Sequence, residues 1–320
     1  MLPYHRLAVN DKHRWWRPLL GSLLVLLAAV AVQIAVFTVA WIVGLVAGRP
    51  TDPYGMPILP DAVNTALTLI SVALALPIAL ATARLIQRRP AGTLSSVVGR
   101  LRWGWMARCS LILVPTMSAV IAASIGLVRL TEGDSSMVTR GAHWPGVGAF
   151  LAAAAMLLAL VPLQAAAEEY VFRGWLLQAV GAYTRSPWPA IVLPAFLFSL
   201  AHGIGTPWGF ADLVALGVVA GWLTVRTGGL ESAIALHVVN NVAWLLYAAA
   251  NGMFSIKQTA ADMPWQYAVV AVAALAGYAG AVSWLARRRG LETSAPVASA
   301  AASASDTAAS MRALVRENVA

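Results

Sequence analysis

Three features of the sequence predict an all-α fold, a polytopic membrane bundle of about eight transmembrane helices. Hydrophobic residues make up 60 % of the 320 positions and charged residues only 11 %, whereas a soluble domain carries about 25 % charged residues. Apolar runs of roughly 20 residues, the length that crosses a bilayer as a helix, recur along the chain. Lysine and arginine residues gather between alternate runs, as they do in loops on the cytoplasmic side of a membrane.

The first apolar run, Leu19–Ala47, predicts a spanning helix. It is far longer than the roughly 7–15 residues of a signal-peptide core, and no convincing cleavage site follows it. Residues 1–18 are basic and include Trp15 and Trp16, which suit the membrane interface. We therefore expect residues 1–18 to form a basic cytoplasmic N-terminus.

Seven further apolar runs predict the remaining spans. Residues 19–128 hold the first three helices, with a basic inner loop between the second and the third. Within that loop, the segment between Arg84 and Arg108 is a candidate amphipathic helix on the membrane surface. The seven runs are Ala62–Ala83, Cys109–Val128, Gly146 onward into the helix with the acidic pair, Trp188–His202, Trp208–Val225, Ser232–Ala250 and Trp265–Ala286.

The last part of the chain, residues 290–320, is rich in alanine and serine. Such a composition has little apolar surface to bury, so we expect a disordered cytoplasmic tail. Within it, Ala308–Val319 is a candidate short helix.

The distribution of positive charge predicts the orientation in the membrane. An even number of spans with the N-terminus inside places both termini in the cytoplasm of a multi-pass cell-membrane protein. The net charge of +9 then reports topology and contact with a lipid bilayer, and it requires no nucleic-acid partner. On this orientation the outer loops receive only Arg49, Arg129, Arg140 and Lys257, and the inner loops receive Arg6, Lys12, Arg14, Arg17, Arg84, Arg88, Arg89, Arg100, Arg102, Arg108, Arg185, Arg226 and Arg287–Arg289.

The single cysteine, Cys109, excludes an intramolecular disulfide and a zinc–thiolate cluster. Its position at the start of an apolar run favours a small core residue.

Two adjacent carboxylates and an arginine lie inside the fourth apolar stretch. Ionisable groups in the hydrocarbon region cost roughly 2.5–3.5 kcal/mol each on insertion scales, so they mark a functional site. Glu169 and Arg173 are four residues apart, the favourable spacing for an ion pair on one helix face. Glu168 points about 100° away from Glu169 on the helix and lacks that partner. We therefore predict a structural role for Glu169 and a chemical role for Glu168.

Two histidines fall within apolar stretches, His202 at the end of FSLAH and His237 at the start of HVVNN. Asn241 shares a helix face with His237, and Asn240 nearly does. If the turn between the fourth and fifth spans centres on Arg185, antiparallel helices bring Glu168 and His202 to the same depth, about 25 Å from the turn. On the same reasoning His237 matches that depth less well.

Asp212, near the outer end of the sixth span, has two interpretations. It is either a charge at a helix N-terminus or a member of the site, and we favour the structural interpretation.

The elements EEYVFR, FSLAH and HVVNN resemble the EExxxR, FxxxH and HxxxN motifs of the CPBP family. That family includes type II CAAX prenyl endopeptidases and Abi-like membrane proteins associated with bacteriocin processing or immunity. The resemblance covers roughly Ala149–Tyr247, so we expect residues 146–286 to hold the catalytic transmembrane helices. It implies an intramembrane endopeptidase whose cavity opens to the cytosol.

The resemblance also implies residue roles. Glu168 and His202 would activate a water, with Glu168 as general base, while His237 and Asn241 would stabilise the tetrahedral oxyanion. Glu169 and Arg173 would hold the site together. Independent of the resemblance, no serine or cysteine is evidently paired with a histidine, so water is the expected nucleophile.

The sequence leaves open whether a divalent metal such as zinc takes part, with His202 and His237 as candidate ligands. It leaves the substrate open among a prenylated protein, a peptide precursor and a membrane-protein segment. Two other functions remain as alternatives. A proton-coupled transporter would also use glutamate and histidine residues in the membrane, although no repeated halves are evident. A non-proteolytic scaffold or immunity protein would keep the fold without the activity.

Overall fold

The computed structural model describes residues 1–133, 143–253 and 260–296, which are almost entirely helical. Their apolar stretches form the long helices, and short polar or proline-containing segments connect them. The α-helices are α1 Trp16–Val46, α2 Asp61–Ala73, α3 Ala75–Leu85, α4 Trp103–Glu132, α5 Val147–Glu169, α6 Leu177–Gly181, α7 Pro187–Ala201, α8 Pro207–Thr227, α9 Glu231–Ala250 and α10 Trp265–Arg288.

Within the described residues, seven helical stretches are long and apolar enough to cross a membrane. An eighth apolar helix, α7, has only 15 residues and is therefore about 22 Å long, shorter than a hydrocarbon core of about 30 Å. These elements confirm the predicted all-α polytopic bundle. Of the eight expected spans, the one at Trp188–His202 corresponds to α7, which is too short to cross the hydrocarbon core by itself.

The helix that carries the acidic pair changes its winding directly after Glu169. Residues Tyr170–Leu176 form a π-helical segment between α5 and α6. Such segments are rare and occur most often at functional sites. Here the wider turn begins between Glu169 and Arg173, at the position where the predicted site starts.

The N-terminal residues pair with the segment that follows α10. Strand β1, Leu2–Pro3, forms an antiparallel pair with strand β2, Ser294–Ala295. Tyr4 is fully buried, and its hydroxyl donates a hydrogen bond to the carbonyl of Leu94. Burial raises the pKa of the Tyr4 hydroxyl well above its ordinary value. The basic N-terminus is therefore packed onto the bundle, which its composition does not indicate.

This pairing also corrects the boundary of the expected tail. Residues 290–320 were predicted to be disordered, but Ser294–Ala295 are in a strand. The tail beyond residue 296, including the candidate helix Ala308–Val319, lies outside the described residues.

The basic segment between Arg84 and Arg108 is not the amphipathic surface helix that the sequence predicted. It contains a 3₁₀ turn at Ala91–Leu94, and Ser96 pairs with Gly229 in an isolated β-bridge. Its Arg102 forms an ion pair with Glu231 at 2.7 Å, and the Glu231 side chain is fully buried. These contacts attach the segment to the turn between α8 and α9.

The contacts at this end of the bundle bring together the N-terminal residues, the segment after α10 and several basic segments. The Nε2 atom of His5 lies 3.1 Å from the carbonyl oxygen of Arg185, and burial lowers the pKa of His5. We call this the basic end of the bundle, defined by residues 2–6, 89–102, 181–186, 226–231 and 287–295. Of the charges predicted for the opposite end, Arg140 and Lys257 lie outside the described residues.

Candidate active site

The predicted ion pair between Glu169 and Arg173 is present. Nη1 of Arg173 donates to Oε1 of Glu169 at 2.9 Å, and the two side chains are 1 % and 0 % exposed. The i, i+4 spacing brings the two groups together even though the helix is π-helical after Glu169. An ionised carboxylate is thus fixed in the interior with its counter-charge beside it.

His237, from α9, contacts both glutamates. Its Nδ1 atom lies 2.7 Å from Oε1 of Glu169, and its Nε2 atom lies 3.3 Å from Oε2 of Glu168. The long helices α5 and α9 pack against each other, which brings these distant parts of the chain into contact. The imidazole is therefore held between a buried carboxylate and a carboxylate that is 14 % exposed.

The hydrogen bonds fix which nitrogen of His237 carries a proton. The Glu169 carboxylate already accepts from Arg173 and is ionised, so it can only accept from Nδ1 of His237. In neutral imidazole Nε2 is then the unprotonated nitrogen, and it faces Glu168. A contact between Nε2 and a carboxyl oxygen is favourable when one proton is shared between them. His237 and Glu168 thus form a pair suited to moving a proton.

His202, the residue that follows α7, has a different environment. Its Nδ1 atom lies 2.9 Å from the carbonyl oxygen of Phe198, which can only accept. Nδ1 therefore carries the proton and Nε2 of the neutral ring is an acceptor. Because the ring is only partly buried, it is accessible to a water in the adjoining cavity.

The ring of Phe198 organises the charged groups of the site. It packs against His202 with centroids 4.5 Å apart and meets His237 edge to face at 5.7 Å. The Arg173 guanidinium lies over the Phe198 ring, with Cζ 4.3 Å from the ring centroid, in a cation–π contact. Phe198 is the first residue of FSLAH, and its i, i+4 spacing to His202 is the sequence signal for this contact.

Asn241 lies one helical turn beyond His237 on α9. Nδ2 of Asn240 donates to Oδ1 of Asn241 at 3.1 Å. This bond occupies the carbonyl side of the Asn241 amide, so its NH₂ group remains available to donate to a ligand. The neighbour Asn240 thus orients Asn241.

A polar cavity of about 330 Å³ lies next to these residues. Its wall includes His202 after α7, the predicted polar residues His237, Asn240 and Asn241 of α9, and Asp212 of α8. The favoured interpretation of Asp212 as a helix N-terminal charge is wrong, because Thr206 caps α8 and Asp212 lies in its second turn. The cavity is lined by Phe198, His202, Asp212, Leu213, Leu216, His237, Asn240, Asn241, Trp244, Leu245, Ala260, Met263, Tyr267 and Ala271.

A second, apolar cavity of about 620 Å³ lies on the other side of the site, and we call it the lateral groove. Glu168 forms part of its wall, and residues of α1, the π-helical segment and α7 form most of the rest. Helix α1 is placed here by Gly21, where an added Cβ would lie 2.3 Å from the Trp175 ring. The groove is lined by Ser22, Leu23, Val25, Leu26, Ala29, Val30, Gln33, Val72, Ala75, Glu168, Val171, Phe172, Leu176, Leu197, Leu200 and Ala201.

The Glu168–His237 pair therefore lies between an apolar groove and a polar cavity. The expectation that His237 matches the depth of Glu168 less well is wrong, because the packing of α5 on α9 brings the two side chains within 3.3 Å. That Glu168 and His202 lie at the same depth stays a prediction, and no hydrogen bond or ion pair of the described residues joins them.

The direction of the polar cavity also differs from the expectation. Ala260 and Met263, in the connection between α9 and α10, line it. They lie at the end of the bundle opposite the basic end. With the orientation that the arginines predict, the cavity extends toward the outer face, whereas the resemblance implied an opening to the cytosol.

The donor set does not fit a bound metal in this arrangement. The described residues contain no group of three or more histidine, cysteine, aspartate or glutamate side chains placed to hold a metal ion. Both ring nitrogens of His237 face carboxylate oxygens, and Nδ1 of His202 is bonded to a carbonyl. Nδ1 of each candidate ligand is therefore engaged, and neither histidine belongs to a group of three or more such ligands in the described residues.

Comparison with known proteins supports the resemblance. Residues 150–243 match the family model of the Rce1-like type II CAAX prenyl endopeptidases. The matched stretch contains all six predicted site residues, from Glu168 to Asn241. This confirms the likeness to a family of membrane proteases over somewhat less than a third of the chain.

The chain is also similar to an uncharacterized protein, YyaK, of Bacillus subtilis (strain 168). The two are 30 % identical over 146 residues, which make up 42 % of this chain and 48 % of YyaK. The chain thus matches about half the length of this curated relative. No solved structure matches the chain.

Proposed function

We propose that this protein is an intramembrane endopeptidase that hydrolyses a peptide bond with a water activated by glutamate and histidine. The observation that carries the proposal is the contact between Glu168 and His237 at 3.3 Å, backed by Glu169 and Arg173. A carboxyl group beside an imidazole that a second carboxylate orients is an arrangement suited to proton transfer. The family match over residues 150–243 supports the same class of reaction.

Glu168 is the general base in this proposal. Its carboxylate takes a proton from a water as the water oxygen bonds to the carbonyl carbon of the substrate. His202 assists, because its unprotonated Nε2 accepts a hydrogen bond from the same water on the cavity side. The enzyme gains from positioning both acceptors before the substrate arrives.

The tetrahedral intermediate carries a negative oxygen that needs a donor. The NH₂ group of Asn241 supplies one, and protonated Nε2 of His237 supplies a second when the shared proton lies on the imidazole. Donors of this kind stabilise the developing charge in a site with little water. The C–N bond then breaks, and the proton held by Glu168 passes to the leaving nitrogen.

Glu169 and Arg173 act as positioning residues. The carboxylate of Glu169 sets the tautomer of His237, and Arg173 keeps that carboxylate ionised. A base or acid is effective only within hydrogen-bond reach of the reacting atoms, so this support affects turnover as well as folding.

The lateral groove supports a substrate held in the membrane. It is apolar, lies along α1 and includes Glu168 in its wall, so an apolar chain in it would be adjacent to the base. We propose a prenylated or membrane-associated protein or peptide as the substrate and the lipid bilayer as the environment. We propose the cell membrane as its location, with both termini in the cytoplasm.

The test compares the proteins of membranes that contain either the wild type or the Glu168→Gln variant. We expect shortened fragments only with the wild type, at comparable amounts of folded protein. Purified protein in lipid nanodiscs, incubated with a candidate fragment's precursor, should reproduce the cleavage. Identical protein ends in both membranes would instead support a scaffold or an immunity protein that keeps the fold.

A further inference from the structure

Asp212 is a buried carboxylate that the proposed mechanism does not use. It is 5 % exposed, and its Oδ1 atom has no hydrogen-bond partner among the described residues. The N-terminus of α8 is capped by Thr206, whose Oγ1 accepts from the backbone nitrogen of Gly209 at 3.0 Å. Asp212 lies beyond the first turn, where the helix dipole no longer stabilises an acid appreciably. Its position in the polar cavity therefore lacks a structural explanation.

The surroundings of Asp212 are those of a cation site. None of the described residues that line the polar cavity is a lysine or arginine. Two aromatic side chains in that lining, Trp244 and Tyr267, stack with centroids 5.0 Å apart. The Tyr267 hydroxyl is also buried without a partner in the described part of the chain. A carboxylate, an aromatic face and a free hydroxyl are together the groups that recognise an ammonium or guanidinium ion.

The Asp212 carboxylate has no lysine or arginine as counter-charge among the described residues that line the polar cavity. A buried carboxylate without a counter-charge is unfavourable, and proteins ordinarily pair such a group. The lining of the cavity offers no lysine or arginine among the described residues, so the counter-charge would come from a bound ligand. We propose that Asp212 is the specificity-determining residue of a subsite that binds a cationic group of the substrate, either a lysine or arginine side chain or a free amino terminus.

Asp212 and His237 line the same cavity of about 330 Å³, so a cationic group bound at Asp212 lies near the proposed reaction centre. We therefore expect the cationic group within about four residues of the scissile bond, a length of roughly 13 Å in an extended peptide.

The inference rests on the proposed function for its reference to a substrate, and a binding measurement tests it separately from cleavage. Fluorescent peptides would differ only in lysine, norleucine or acetyl-lysine at one position, with the amino terminus free or acetylated. Affinities are measured on full-length protein in nanodiscs, both in the wild type and in Asp212→Asn. Asp212→Glu is the conservative variant, and Asp61→Asn, an exposed acid at the start of α2, is the matched control.

We expect the wild type and Asp61→Asn to bind one of the cationic peptides, with either lysine at one position or a free amino terminus, about 30-fold more tightly than its neutral counterpart. This difference is of the size that a buried charge pair contributes to binding. Asp212→Asn should bind both peptides with affinities within about twofold of each other, while Asp212→Glu keeps a preference. If the wild type binds cationic and neutral peptides with equal affinity, the inference is overturned. This comparison uses only the wild-type protein, so it does not depend on whether a variant folds. A preference that persists in well-folded Asp212→Asn would overturn it as well.

The same series separates the two claims. If the wild type prefers cationic peptides but cleaves none of them and no membrane protein, the proposed function fails and the cation subsite stands. If peptides are cleaved with the same kcat/KM whether or not they carry the cation, the subsite fails and the proteolytic function stands.

Discussion

Nδ1 of His237 lies 2.7 Å from Oε1 of Glu169, across 68 positions of the sequence. This bond turns the other ring nitrogen, Nε2, toward Glu168. The adjacent glutamates therefore have unequal environments, since Glu169 is hydrogen-bonded to Nδ1 of the imidazole and Glu168 lies 3.3 Å from its Nε2.

The two glutamates should separate activity from stability. Glu168→Gln removes the water-activating base, so turnover should fall by at least about 100-fold. Its side chain is partly exposed and the amide fits the same space. The melting temperature in detergent should therefore stay close to that of the wild type. A peptide-cleavage assay and a thermal melt on the same preparation measure both effects.

Glu169→Gln should behave differently because it leaves Arg173 without its partner in the interior. Breaking a buried pair in this way costs about 3–5 kcal/mol, so stability and activity should fall together. Adding Arg173→Met to Glu169→Gln removes the unpaired cation and should restore part of the stability without restoring turnover. Equal destabilisation by Glu168→Gln and Glu169→Gln would show that the roles are assigned incorrectly.

His202→Gln should lower turnover with little loss of stability. The His202 ring is partly exposed, and its one described hydrogen bond is to the carbonyl of Phe198 in the preceding helical turn. Loss of an acceptor for the reacting water should reduce kcat by about 100-fold or more. The control is His13→Gln in the N-terminal segment, which should cleave at the wild-type rate. Wild-type kcat in His202→Gln would remove His202 from the mechanism.

The ion pair between Arg102 and Glu231 should support the fold and have no part in the chemistry. The Glu231 side chain is fully buried, and its Oε1 accepts from both the backbone nitrogen and Nε of Arg102. Glu231→Gln should therefore lower the free energy of unfolding by about 3 kcal/mol. Arg108→Gln, at an exposed arginine near the start of α4, should change it by less than about 0.5 kcal/mol. Both variants should keep wild-type turnover below their melting temperatures, and a reduced kcat at full folding would contradict this.

Metal removal should leave cleavage unchanged. The described residues contain no group of three or more candidate metal ligands, and the proposed water activation uses only glutamate, histidine and asparagine side chains. We expect elemental analysis of the pure protein to find less than one metal ion per chain, and activity to survive dialysis against a chelator. Activity that is lost on chelation and restored by zinc would require a different site geometry.

The orientation in the membrane stays a prediction that reporter fusions can test. A reporter placed after residue 296, beyond strand β2, should be cytoplasmic, and one inserted within Gly55–Pro60 should be on the outer side. The reason is the excess of lysine and arginine at the basic end of the bundle. The reverse result would place the polar cavity toward the cytosol and the chain termini outside.

Much of the site was predictable because it depends on local spacing. The pairing of Glu169 with Arg173 follows from a four-residue separation on one helix, and the structure retains it through the π-helical segment. The contact of Phe198 with His202 has the same origin. The length and apolarity of the runs likewise predicted the membrane helices, since a bilayer demands both.

The sequence by itself determined that this chain is a membrane helix bundle and that certain polar residues must meet inside it, because hydrocarbon tolerates few unpaired charges. It did not determine which residues meet. The partner of Glu168 is His237, Arg102 is bound to Glu231, and Asp212 faces the polar cavity. Each of these depends on the lateral packing and rotation of helices distant in sequence. Periodicity along one helix carries no information about the neighbour that it contacts, so only the tertiary structure decided them.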